Sequence, residues 1–323
     1  MRDVARVAGV SLKTVSRVIN EEAGVAPSTG ARVGDAIATL GFERNDLARS
    51  LRQGRSSLTL GLIIEDLANP FYSAIANAVE ACARARGYLL ITASAGEDPV
   101  LERELVGALL RRRVDALLVV PAGSDHRHVA SRTPTVFLDR PPHALEADTV
   151  LFDNVGGARA GVAHLIAQGH TRIACVLDDP GVYTHELRRA GYRQALAEAG
   201  IAEDLALVRT GNHDVARARA TVQDLLALPA GRRPTAVFAT NNRMTVGALH
   251  ALAAEPRRPA LVGFDDFELA DLLGTTVVRA DPWRLGEEAA ALAFARVAGD
   301  EAPPRTVTVA TELVRRGSGE VPA

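Results

Sequence analysis

Four apolar runs, residues 58–64, 88–92, 114–120 and 135–138, alternate with the stretches 73–86 and 100–112, whose apolar residues recur at helical spacing. Each run is shorter than a helix and apolar on successive residues, so both of its faces must be covered. A strand buried on two faces and joined to the next by a helix is the unit of a parallel sheet. The pattern then starts again. Helices over 157–168, 187–199, 216–228 and 245–254 alternate with strands over 173–177, 205–209, 236–239 and 260–263. Two rounds of about 100 residues predict an α/β chain with two Rossmann-like subdomains and a cleft between them. Ligands of such sheets sit beyond the carboxyl ends of the strands, so the loops there hold the candidate binding residues. With 47% hydrophobic and 24% charged residues, the 323-residue chain has ample material for such cores, which excludes a disordered or rod-like chain.

The first 57 residues do not follow that alternation. They hold nine Lys/Arg against six Asp/Glu, while the rest of the chain is net negative under a total charge of −2. A basic end on an acidic body hints at nucleic acid. Three short helical patterns follow one another. The first, over 3–8, stops at Gly9-Val10, where glycine can turn left-handed. Ser11 then stands as an N-cap for residues 12–20. At about 100° per residue, Val15, Val18 and Ile19 share one face, and Lys13, Ser16, Arg17 and Asn20 gather on the opposite one. The third pattern follows Pro27-Ser28-Thr29 and carries Val33, Ile37 and Leu40 inward. Two helices around a Gly-containing turn, the second with a cationic and amide-bearing outer face, read as a helix-turn-helix or as a small bundle with a solvated polar face. The first reading suits DNA because a helix fits the major groove, where Lys and Arg donate to guanine O6 and N7.

The run Asp3-Val4-Ala5-x-x-Ala8-Gly9-Val10-Ser11-x-x-Thr14-Val15-Ser16-Arg17-Val18-Ile19-Asn20 resembles the DNA-binding head of the LacI/GalR family of bacterial transcriptional regulators. The resemblance implies that Leu12, Lys13 and Arg17 read bases, while Thr14 and Ser16 position the helix on phosphates. Asn20 is either a further phosphate contact or the C-terminal cap. It continues through Gly41-Phe42-Glu43-Arg44-Asn45-Asp46-Leu47-Ala48-Arg49-Ser50-Leu51-Arg52, similar to the family's hinge segment, which becomes helical on operator DNA. There Leu51 corresponds to a leucine wedge that opens a central base step, and Asn45 and Arg52 to backbone contacts. The alternative is that Leu51 packs under the core domain.

Three departures stand out. The chain begins Met1-Arg2 where the family has a Thr-Ile-like pair, so either the first helix loses a cap worth about 1 kcal/mol or the start lies upstream. Gly30 replaces an arginine, removing one expected phosphate contact. Arg44 replaces a proline, making the hinge entry less rigid and more cationic.

Further phrases extend the resemblance along nearly the whole chain. They are Asn69-Pro70-Phe71-Tyr72, Leu138-Asp139-Arg140, Phe152-Asp153-Asn154, Arg188-x-x-Gly191-Tyr192, Thr240-Asn241-Asn242 and Gly263-Phe264-Asp265-Asp266. The fold implied is a helix-turn-helix head plus two subdomains of the periplasmic-binding-protein-like type. The head is expected over 1–44, the hinge and linker over 45–57, and the effector-binding and dimerisation domain over 58–323. The N-subdomain takes about 58–154 and 283–302, the C-subdomain about 155–281 and 304–318, with crossings near Asn154-Val155, Asp281-Pro282 and Pro303-Pro304. In the cleft the resemblance implies that Phe71 and Tyr72 stack on the ligand, while Arg188, Asp265 and Asn241 hold it. Arg140, Thr184 and His213 are further candidates. Phe71 and Tyr72 could instead pack a helix start, Asp265 form a turn, and His213 face solvent.

The function implied is a DNA-binding repressor, homodimeric on a pseudo-palindromic operator and released by a small sugar-like effector. A corepressor-dependent regulator with a purine or other metabolite is the alternative, and a solute-binding protein a more distant one, which would need a signal segment and no helix-turn-helix. No GxSxG, HExxH or P-loop is present, and Gly156-Gly157-x-x-x-Gly161 lacks dinucleotide-loop spacing, so an enzyme, a cofactor and a metal are not expected. Cys82 and Cys175 fit no metal or redox motif and read as free thiols of a cytoplasmic protein. No run of 18 apolar residues predicts a membrane partner, and no heptad helix follows Gly317 to suggest a tetramer. Arg17→Ala should flatten the ratio of specific to non-specific DNA affinity, measured by fluorescence anisotropy; an equal loss on both DNAs would make Arg17 a phosphate contact alone.

Overall fold

The computed structural model describes residues 1–20, 22–42, 56–130, 132–253, 255 and 258–323. The chain divides into two compact units, Met1–Ser57 and Leu58–Ala323. The hinge residues Asn45, Leu51 and Arg52 lie outside the described residues.

The first unit holds α1 (Arg2–Ala8), α2 (Leu12–Ile19) and α3 (Pro27–Leu40). Gly9 closes α1 at φ 62°, and Ser11 opens α2 with its hydroxyl accepting from Thr14 N–H at 3.1 Å. Pro27, whose missing N–H costs nothing in a first turn, opens α3. No side chain caps α1 at Met1. Val4, Ala8, Val15, Val33 and Ala36 form the buried core, with Val18, Ile19, Ile37 and Phe42 packed against it. Leu40 does not turn inward as expected and is 41% exposed. The helix ends beside it at a left-handed Gly41, and Phe42, whose N–H reaches Ile37, covers that end of the core instead.

In the second unit, β1 (Thr59–Ile64), α4 (Pro70–Arg84), β2 (Leu89–Ser94), α5 (Pro99–Arg111), β3 (Ala116–Val119), β4 (Thr135–Leu138) and β5 (Asp148–Phe152) build the first sheet. The second half runs α6 (Asn154–Ala167), β6 (Ile173–Val176), α7 (Tyr183–Glu198), β7 (Val208–Arg209), α8 (Val215–Leu226), β8 (Ala236–Ala239), α9 (Asn242–Leu252), β9 (Ala260–Phe264) and β10 (Thr276–Ala280). Then α10 (Pro282–Val297) packs back on α4, and β11 (Thr306–Val309) and β12 (Thr311–Val314) end in different sheets. The orders are β2-β1-β3-β4-β5-β11 and β7-β6-β8-β9-β10-β12. Among the described residues all strand pairings are parallel except β10 with β12.

Two expectations are corrected here. Pro303-Pro304 is not a crossing, because β11 still pairs with β5 and the chain changes sheets at Ala310. Asp148 holds that segment: its Oδ1 accepts from Arg305 N–H at 3.0 Å, and Arg296 grips the same carboxylate and the carbonyls of Asp300, Ala302 and Pro303. Residues 205–209 are not one strand. Asp204 caps a 3₁₀ turn at Leu205–Leu207, leaving β7 two residues.

Among the described residues no helix is long and apolar enough to cross a membrane. The α6–α7 contact is the tightest test of packing. A Cβ on Gly191 would stand 2.3 Å from the Val155 carbonyl oxygen and 2.8 Å from Cβ of Ala158. Gly191→Ala should lower stability by about 1–3 kcal/mol, read from urea denaturation midpoints; an unchanged midpoint would mean the two helices can separate freely.

Candidate functional site

The carboxyl ends of the two sheets open on a single cleft of about 600 Å³. One wall comes from the loops after β1, β2 and β4, bringing Glu65, Asp66, Asn69, Glu97, Asp139 and Arg140. The other comes from the loops after β6, β8 and β9 and from α7, bringing Asp178, Thr184, His185, Arg188, Asn241, Arg243 and Asp265.

Arg188 organises the second wall. It is 3% exposed, and its guanidinium lies over the Phe264 ring, 3.8 Å from the centroid. Its Nε donates to Asn154 Oδ1 at 2.8 Å, and Nη1 to the Thr240 carbonyl at 2.6 Å and Asp265 Oδ2 at 3.2 Å. Asp265 sits at φ 65°, a conformation a non-glycine residue rarely holds. Burial pushes its carboxyl up to about 6, while Arg188 opposes the rise. Beside it, burial and the charges of Arg188 and Arg140 hold His185 neutral, well below the usual histidine range.

Arg140 organises the first wall. Nη1 and Nη2 grip the Glu97 carboxylate at 2.7 and 2.5 Å, and Nη2 lies 3.7 Å from Glu65. Burial, reinforced by Glu97, raises Glu65 to about 7 against the pull of Arg140 and Arg243. Burial raises Asp139 too. The walls are fastened to each other at the start of α9. Asn242 donates to Asn69 Oδ1 at 2.8 Å, and Arg243 pairs with Glu65 at 3.3 Å and with Asp66.

All eight residues expected in the cleft line it: Phe71, Tyr72, Arg140, Thr184, Arg188, His213, Asn241 and Asp265. Their surroundings differ. Phe71 is buried edge-on to Tyr72, 5.1 Å between centroids, and touches Phe152, so much of its surface packs the core. His213 is at the exposed rim, 3.2 Å from Asp179. Asn241 caps α9 through Met244 N–H and donates to Asp178 at 3.2 Å. Sequence reasoning missed Glu65, Glu97, Asp139, His185 and Arg243. Asp139 carried a readable signal, an acid directly after a buried strand, as does Asp265. Among the described residues, metal-ligating atoms converge at Asp178, Asp179 and His213, at the cleft's solvent-exposed edge.

On the head, Leu12 and Lys13 are exposed and Thr14 lies against the Ser11 hydroxyl at 2.9 Å. Arg17 donates to the Ala23 carbonyl at 3.0 Å and lies 3.6 Å from Glu22. Asn20 occupies the C-cap of α2, and its amide reaches Ser16 and Glu22.

Glu65 gives this cleft a testable sign. Its carboxyl moves from an ordinary 4.5 to about 7 on folding. The folded chain thus binds the extra proton, and the stability tied to it is present below pH 4.5 and lost as pH rises through 7. Glutamine stays neutral throughout. Glu65→Gln should therefore gain on the parent chain between pH 5 and 8, by on the order of 1–2 kcal/mol in paired urea titrations. A difference independent of pH would mean that Glu65 ionises like an exposed carboxylate.

Comparison with known proteins agrees with this geometry. Residues 1–45 match the model for bacterial regulatory proteins of the lacI family, and residues 162–319 the periplasmic binding protein-like domain. The ribose operon repressor of Escherichia coli K12 is 34% identical, over 98% of this chain and 99% of its own length. The transcriptional repressor PurR of Vibrio campbellii is 31% identical over 98% of both. A crystal structure of the lac repressor dimer bound to operator and the anti-inducer ONPF superposes with a TM-score of 0.83 at 26% identity, covering 99% of this chain and 98% of that one. Regulators of this family bind operator DNA as dimers and are not enzymes. The chain belongs to the LacI family and is a helix-turn-helix transcriptional regulator whose second domain is periplasmic-binding-protein-like.

Proposed function

We propose that the chain is a cytoplasmic repressor, homodimeric on a pseudo-palindromic operator, and that a sugar or sugar derivative in the cleft releases it. One observation carries this reading: both subdomains wall the cleft, and Asn242–Asn69 and Arg243–Glu65 bridge it. A ligand docked there competes with or adds to these bridges and so biases the angle between subdomains. A bias of about 1–3 kcal/mol changes operator occupancy roughly 5–150-fold. Arginine beside a carboxylate and amides suits hydroxyls, which donate and accept at once. The kinship with a ribose operon repressor supports a sugar.

In this reading Leu12, Lys13 and Arg17 reach base edges, and Thr14, Ser16 and Asn20 the phosphates, with Asn45, Leu51 and Arg52 acting from the hinge. Dimerisation is supported by apolar side chains left in the open: Leu89, 73% exposed, on edge strand β2, and Leu269, Leu272 and Leu273 ahead of β10. The kinship with PurR favours a second reading, a purine that strengthens operator binding. The sign of the ligand effect separates the two.

Asp265→Asn removes the charge, keeps an acceptor for Arg188 and suits the left-handed backbone. On a selected operator its affinity should stay within about threefold of the parent, while the ligand concentration needed for release rises at least about tenfold. Anisotropy titrations with ribose, galactose, cellobiose and hypoxanthine measure both. Release at the parent's concentration would remove Asp265 from the ligand site.

A further inference from the structure

We propose that the molecule held in the cleft is a polyhydroxylated amine, an amino sugar in chemical class, with its ammonium group on Oδ1 of Asp139. This rests on the reading of the cleft as the effector site and specifies its occupant. The two halves of the domain share a repeated feature. Asp139 follows β4 and Asp265 follows β9, strands that hold the same place in two sheets of matching order. Both residues sit at φ 65° and both are buried. The N–H of each donates at 2.9 Å to the neighbouring strand, to Val150 in one case and Val278 in the other.

The two are not equally well paired. Asp265 is met by two nitrogens of Arg188, at 3.2 and 3.4 Å. Asp139 is 3% exposed; its Oδ2 forms a looser ion pair with Nε of Arg140 at 3.6 Å, too long for a hydrogen bond, and its Oδ1 accepts no hydrogen bond. Arg140 is turned toward Glu97, and the Tyr72 hydroxyl, with one proton, is divided between Asp139 and Glu65. A buried carboxylate oxygen lining a cavity calls for a donor, and one guanidinium shared among Glu97, Glu65 and Asp139 leaves their charge only partly met.

The surroundings select the kind of donor. On the same wall Glu65, Asp66 and Glu97 join Asp139 against the guanidinium of Arg140, with Arg243 reaching them from the facing wall. The facing wall adds Asp178 and Asp179 to the Arg188–Asp265 pair. A phosphate or carboxylate would enter against this excess. A hydroxyl would fill the hydrogen bond and leave the charge; an ammonium answers both. The same molecule's hydroxyls meet the opposite wall. There the Asn241 amide lies 3.5 Å from Nε2 of His185; with Nε2 accepting, the ring proton is on Nδ1, which has no hydrogen-bond partner and is free to donate to a ligand oxygen.

Matched sugars test this on the full-length protein by isothermal titration. The probes are glucosamine, galactosamine and mannosamine, each against its parent sugar and its N-acetyl derivative, with glucose 6-phosphate added. At least one amine should bind about tenfold tighter than both of its neutral counterparts, and the phosphate should be weakest of all. Asp139→Asn, compatible with the left-handed backbone, should erase the amine's advantage, and Glu97→Gln should reduce it about two- to threefold. Parent sugars binding as tightly as the amines, no binding by any amine, or an advantage that survives Asp139→Asn would each overturn the proposal. A ligand that releases operator from Asp265→Asn as readily as from the parent would instead overturn the reading of the cleft as the effector site.

Discussion

The second domain is organised around a charge that water does not reach. Arg188 projects from α7 into the ends of β8 and β9 and the first turn of α6, and each direction of its planar fork is answered: Asn154, the Thr240 carbonyl, Asp265 and the Phe264 face. An unpaired guanidinium at this depth would cost several kcal/mol, so the four elements must converge for the domain to close. Convergence in turn requires close helix packing, which Gly191 on α7 and Gly157 and Gly161 on α6 permit by leaving no Cβ against Val155, Thr311 and Val278. The left-handed Asp265 is the local strain this arrangement sustains. Fold and site are therefore one construction in this half of the molecule.

The other half repeats the topology with different charges. Arg140 lies among Glu97, Glu65 and Asp139 without fully pairing any but the first, so the wall keeps negative charge in reserve. Bridges from α9 reach that wall directly, Arg243 meeting the same Glu65 that faces the cavity. A ligand that changes the charge around Glu65 thus acts on the contact joining the two subdomains. That is a physical route from occupancy to domain angle, and it needs no path through the packed sheets.

Most of this was readable from sequence where the signal is local. The head was legible because the residues from Asp3 to Asn20 form one ordered run that matches the family's, and Arg188 and Asp265 because they stand in phrases that resemble it too. The third crossing was misplaced because Pro303-Pro304 looks like a linker. What decides it is the pairing of Arg296 with Asp148, residues 148 apart. Strand β7 was overestimated because residues 205–208 are apolar without a break, while the turn begins with one bond accepted by the Asp204 carboxylate from Ala206 N–H. Helix α10 and strands β5, β10, β11 and β12 gave weak signals, being short or Ala-rich and stabilised by distant partners. Asp139 was passed over as a site residue because the unbonded state of its Oδ1 exists only in three dimensions.

The central claim is that α2 reads DNA under the control of the cleft. Selection of genomic fragments by the purified full-length protein, sequenced and searched for symmetry, tests it most directly when repeated with a cleft ligand present. The account predicts a two-fold motif whose enrichment changes with ligand for the parent chain and much less for Asp265→Asn. A motif without two-fold symmetry, or one whose enrichment ignores a ligand bound in the cleft, would contradict it.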